Sequence, residues 1–191
     1  MRIVSQNLIN YNFPVPDDVV FRINLAWCNS LDELKLILSK HHDSSIFLDL
    51  PIGRLKPPNN KYTLKDIIPI LEEHKNIKYF AVSNVESASH LTLYMKTLPK
   101  HIVIVPKIES PNAIDNIKEI AEALNPNEKV MMLDHDDLFS AILRRNEPEK
   151  NFLNYIVTLN DFCKENKIIL LRTIGVVFSN DENYRATQYV K

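Results

Sequence analysis

The sequence predicts an α/β domain of repeated βα units built on a parallel sheet, and a barrel of such units would be a trimmed one. Three observations point there. Short apolar runs alternate with amphipathic stretches along the whole chain. The runs are rich in Ile, Val and Leu and do not alternate strictly with polar residues, as suits strands buried on both faces. The stretches between them open on helix-capping signals, and strand–helix alternation at these intervals argues for right-handed βαβ units. A full eight-fold barrel typically needs about 250 residues, with about 200 as its lower end. At 191 residues, the chain is expected to be trimmed, or completed by a neighbouring chain.

The elements follow in order. The expected strands are Ile3-Val4, Val19–Leu25, Ile46–Leu50, Tyr79–Val85, Ile102–Ile108, Lys129–Leu133 and Ile168–Leu171. Ser30-Leu31-Asp32-Glu33 reads as a capping box, followed by Leu34, Ile37 and Leu38 on one helical face. Thr63 precedes Ile67, Ile70 and Leu71, and Ser87 precedes Leu91, Tyr94 and Met95. Ser110-Pro111 places an N-cap before a proline at the first helical position. Ile114, Ile117, Ala121 and Leu124 then recur at helical spacing, and Phe152, Ile156, Leu159 and Phe162 mark a helix after Pro148. No linker, repeat or low-complexity tract divides the chain, so residues 1–191 read as one domain.

Composition narrows the function classes. The chain is 45% hydrophobic and 25% charged, with a formal net charge of −1. No basic surplus points to nucleic acid. The longest apolar runs are too short to span a bilayer, and the first residues hold no signal-peptide core. The expectation is a cytoplasmic protein with neither a nucleic-acid nor a membrane partner. Cys28 and Cys163 follow no metal spacing and read as free thiols. With only two glycines, Gly53 and Gly175, the chain cannot build the usual glycine-rich phosphate cradle.

Sites in parallel α/β folds gather at the carboxyl ends of strands. Lys107 and Glu109 lie two residues apart at such an end, so they point the same way. Two readings fit them: a solvated strand end, or the rim of an active site. Arg22 and Asn24 share that offset, Asp49 closes Phe47–Asp49, and Arg172 and Thr173 follow Ile168–Leu171. Asp134, His135, Asp136 and Asp137 follow the sixth run, where they either cap Leu138–Leu143 or supply acids to a site. A glutamate and an aspartate from neighbouring strand ends can hold Mg²⁺ or Mn²⁺ through oxygen, and such a metal can grip an α-keto acid.

The order of these pieces resembles the catalytic barrel of pyruvate kinase, within the phosphoenolpyruvate/pyruvate-binding superfamily. Phe21–Trp27 is similar to that family's R-x-N-[FL]-S-H segment, and Phe47–Leu50 to its L-L-D-[TL] segment. Tyr62–Asp66, Ala81–Ala88, Pro106–Ser110, Asn116–Ile120 and Met132–Leu138 resemble the segments that follow. The resemblance implies that Lys107 stabilises phosphoryl transfer, that Glu109 and Asp137 hold Mg²⁺ or Mn²⁺, and that Arg22 faces the phosphate. It implies that Asn24 and Asp49 belong to a potassium site, where Ala26 stands in place of the family's serine, and that Thr173 lies near the substrate's methylene carbon. It further implies a barrel trimmed of its lid domain, its eighth strand and its C-terminal domain. Open barrel edges of that kind invite a homo-oligomer or a covering partner protein.

The citrate-lyase-like and HpcH-type aldolase barrels are also similar. Phe21–Leu25, Ile108-Glu109-Ser110 and Asp136-Asp137-Leu138 resemble their segments. That resemblance implies carbon–carbon bond chemistry beside a pyruvate enolate, with no nucleotide and with the same Glu109/Asp137 pair on the metal. A third expectation is a non-catalytic barrel serving as a binding or structural subunit.

Overall fold

The computed structural model describes residues 2–5, 19–52 and 61–172. Among the described residues, seven strands form one sheet in sequential order: β1 (Arg2–Ser5), β2 (Val19–Asn24), β3 (Ile46–Leu50), β4 (Ile77–Val82), β5 (Val103–Ile108), β6 (Val130–Leu133) and β7 (Ile169–Arg172). Every neighbouring pair is parallel. The strand order never reverses, so the chain winds in one direction, as barrel staves do, without the switch point of a doubly wound sheet.

Helices fill the crossovers from β2 onward: α1 (Leu31–Lys40), α2 (Leu64–Glu73), α3 (Thr92–Thr97), α4 (Pro111–Asp115), α5 (Ile117–Glu122), α6 (His135–Arg144) and α7 (Asn151–Glu165). The local chemistry explains several boundaries. Ser30 Oγ accepts from the Glu33 N–H at 3.1 Å, and Glu33 reaches back to the Asn29 N–H at 2.7 Å. Asp66 accepts from the Thr63 N–H at 2.7 Å. Ser110 Oγ accepts from the Ala113 N–H, with Pro111 in the first turn.

One helix departs from expectation. The helix after Ser110 splits at Asn116, whose φ of −98° and ψ of 15° leave the helical well. The Asn116 carboxamide donates to the Glu86 carbonyl at 2.8 Å, a contact from outside the helix that fixes the break. The acidic stretch 134–137 opens a full helix, α6, capped by Asp134 accepting from the Asp137 N–H.

Two apolar layers result. The larger packs one face of the sheet against the helices and includes Phe21, Ile23, Leu48, Phe80, Ile108, Leu133 and Leu159. The smaller holds Val20, Phe47, Tyr79, Ala81, Val103, Val105, Val130, Met132 and Leu171, with Ile3 packed against it. All of these come from strands, from β1 through β7. Among the described residues this face packs strand side chains on one another, as on the inner, lumen face of a trimmed barrel-like sheet. β1 and β7 are the sheet edges among the described residues. The segments that would carry a lid (53–60) and an eighth strand (173–191) lie outside them.

Candidate active site at the carboxyl ends of the strands

The lumen changes character along its length. Strand alternation carries Val20 to Arg22, Phe47 to Asp49, Val105 to Lys107 and Met132 to Asp134 on the same face. The apolar floor therefore ends in a layer of charge at the carboxyl ends of β2, β3, β5 and β6. Asp49 is fully enclosed, and Lys107 and Glu109 are each 5% exposed.

This charge is internally paired. Arg22 donates to Asp49 Oδ2. Lys107 Nζ lies 2.7 Å from Glu109 Oε1, 3.8 Å from Asp134 Oδ2 and 3.9 Å from Asp49 Oδ2. The other Glu109 oxygen, Oε2, accepts the Asn84 backbone N–H at 2.6 Å. Burial by itself would push the Lys107 ammonium down, but Asp49, Glu109 and Asp134 together more than offset this and hold it above the ordinary lysine range. Burial pushes the Glu109 carboxyl up from its ordinary value, against the opposing pull of Lys107 and the Asn84 N–H.

Glu109, Asp134 and Asp137 each offer a carboxylate oxygen, and these oxygens lie within 4.8 Å of one another. Hard oxygen donors of this kind suit Mg²⁺ or Mn²⁺, which take carboxylate oxygens at about 2.1 Å in near-octahedral geometry. In donor type and number the residues present fit a hard divalent cation. Ser83 follows Tyr79 and Ala81 at two-residue spacing, and its Oγ is buried with no hydrogen-bond partner among the described residues. A buried hydroxyl of that sort at the rim is available to a ligand.

The structure gathers most of the residues expected from sequence. Arg22, Asp49, Lys107 and Glu109 form one connected network, and Asp137 joins Glu109 at its edge. Asn24 Oδ1 accepts the Ala26 N–H at 3.0 Å, capping the 3₁₀ turn Leu25–Trp27 that leaves β2. Thr173 lies outside the described residues. Asp136 is exposed and stands apart from the three clustered acids. The resemblance places the metal on Glu109 and Asp137, and the structure adds Asp134, one of the acids that follow the sixth apolar run, to the cluster. The signal was present: Val130, Met132 and Asp134 share one face of β6. Asn84 left no such signal, because its role depends on a left-handed backbone at the turn after β4, where φ is 54°.

No protein-family model and no curated protein matches the chain. Among solved structures, it is similar to the crystal structure of RipC from Yersinia pestis, at 17% identity and a TM-score of 0.60. The match covers 98% of this chain and 83% of that one. At this identity the likeness speaks to the fold alone, and it extends over nearly the whole βα succession. No helix among the described residues is long and apolar enough to cross a membrane.

Proposed function

We propose that this protein is a Mg²⁺- or Mn²⁺-dependent lyase or aldolase that acts on a pyruvate-like α-keto acid. The observation that carries the reading is the joint placement of Glu109, Asp134 and Asp137 beside Lys107 and Arg22 at the carboxyl ends of parallel strands. When bound by the three carboxylates, the divalent cation supplies Lewis-acid polarisation of the keto acid's carbonyl.

The protein's own residues have separable tasks. Lys107 is held cationic by its carboxylate neighbours, so it can stabilise negative charge that develops on a substrate oxygen. Arg22, fixed by Asp49, presents a guanidinium at the mouth of the same lumen, suited to a substrate carboxylate. The buried apolar floor beneath keeps water out and strengthens each of these interactions.

Charge balance favours this chemistry over phosphoryl transfer. Asp49, Glu109, Asp134 and Asp137 face Arg22 and Lys107. A divalent cation brings that group to neutrality. A neutral site accommodates one keto-acid carboxylate, whereas phosphoenolpyruvate together with a nucleotide brings several uncompensated negative charges. The pyruvate-kinase-like reading is thus the rival, and a non-catalytic barrel is the third outcome.

The test is pyruvate release from 4-hydroxy-2-keto acids in the presence of Mg²⁺ or Mn²⁺, with no nucleotide added. The expected result is metal-dependent release that Glu109→Gln abolishes. Phosphate transfer from phosphoenolpyruvate to ADP that Lys107→Ala abolishes would establish the kinase-like reading instead. Neither activity would mark a non-catalytic barrel.

A further inference from the structure

Glu109 is the most enclosed of the three clustered acids, and its orientation rests on two donors. One is Lys107, from its own strand. The other is the backbone N–H of Asn84, from the turn after β4. Asn84 has a φ of 54°, in the left-handed region that side chains other than glycine and asparagine seldom occupy. That conformation turns the chain sharply after Val82 and directs the N–H across to β5.

The turn is tied down on both flanks. The Asn84 carboxamide donates to the Ile52 carbonyl, just past β3, at 2.8 Å. Two residues on, Glu86 accepts from Ser110 Oγ at 2.5 Å, and its carbonyl accepts from Asn116 at 2.8 Å. A single residue thus joins the ends of β3, β4 and β5 and sends its own N–H to a metal-facing carboxylate.

We propose that Asn84 is the positioning residue of this site: its left-handed backbone aims its N–H at Glu109 Oε2 and fixes the carboxylate in the orientation that faces Asp134 and Asp137. The inference rests on the metal reading above. The backbone geometry is what matters, so glycine should replace asparagine here and β-branched residues should not.

The test is Mn²⁺ binding, followed by calorimetric titration, for the wild type and for Asn84→Gly, Asn84→Ala and Asn84→Val, with thermal melting of each in parallel. The expected result is that Asn84→Gly binds Mn²⁺ within about threefold of wild type. Asn84→Val should bind at least about tenfold more weakly while still melting cooperatively, with Asn84→Ala between the two. If Asn84→Val does not fold, the order wild type, glycine, alanine decides the matter. Equal affinity in all folded variants overturns the positioning role and leaves the metal reading standing. A glycine variant as weak as the alanine variant also overturns it, because the carboxamide would then be the active part. No Mn²⁺ binding by the wild type overturns the metal reading, and this inference with it.

Discussion

The two faces of the sheet use their residues differently. Under the helices, Ile23, Leu48, Phe80 and Leu133 are fully buried and apolar to the ends of their strands. On the lumen face, the apolar run stops one position short, and Arg22, Asp49, Lys107 and Asp134 take over. Burying charge costs several kcal/mol per ion before pairing offsets it, and well-packed apolar residues would often be as stable or more so. The helix-facing side shows that this chain can build such packing. The charged layer is therefore poor value as structure, and its position at the carboxyl ends of parallel strands fits a site.

The sharpest way to break that contrast is Lys107→Met. Removing one partner from a buried ion network leaves carboxylates facing each other, which costs about 3–5 kcal/mol. In denaturant melts the metal-free variant should lose about this much, and Mg²⁺ should restore part of it, since a ligand that binds only the folded state stabilises it by mass action. A Lys107→Met protein as stable as wild type without metal would remove the distinction between the faces.

Leu48→Ala tests the other side of the same sheet. A fully buried leucine truncated to alanine costs about 2–5 kcal/mol through lost transfer energy and the cavity left behind. The same melts should show that loss, while Mn²⁺ affinity stays at the wild-type value and added Mg²⁺ gives no special rescue.

A smaller effect runs through pH. Burial holds the Glu109 carboxyl above its ordinary value, so the metal-free folded state binds its proton more tightly than the unfolded chain does. The resulting stabilisation is present at low pH and is lost as pH rises from the ordinary glutamate range through the raised folded value. Melts across that window should show the loss, and Glu109→Gln should flatten it. Mn²⁺ affinity should rise over the same window, because the metal takes the deprotonated form.

The smallest expected effect is Ser30→Ala, at the exposed N-cap of α1. Losing the side-chain cap on the Glu33 N–H costs about 1 kcal/mol. Chemical denaturation should register it, with metal affinity unchanged.

Much of this was legible in the sequence. The apolar runs and capping signals located the strands and most of the helices, because both follow from local periodicity. Lys107 and Glu109 were readable as a pair because strand alternation alone sets them on one side. What the sequence hid was tertiary. The helix break at Asn116 depends on the Glu86 carbonyl, which lies thirty residues earlier. The capping use of Asn24 depends on a 3₁₀ turn that no apolar pattern announces. The purpose of Asn84 needs its dihedral angle and the nearness of β5. Asp134 was visible but ambiguous, since the same aspartate both caps α6 and faces Lys107.

The central claim is that the charged end of the lumen is a divalent-metal site. Titration of Mn²⁺ into the wild type and into Glu109→Gln/Asp137→Asn, with and without oxalate as a keto-acid mimic, tests it most directly. The account predicts saturable binding to the wild type that oxalate tightens, and loss of both in the double variant while it remains folded. Wild-type protein that shows no metal-linked response, or a folded double variant that binds Mn²⁺ as tightly as wild type, would contradict it.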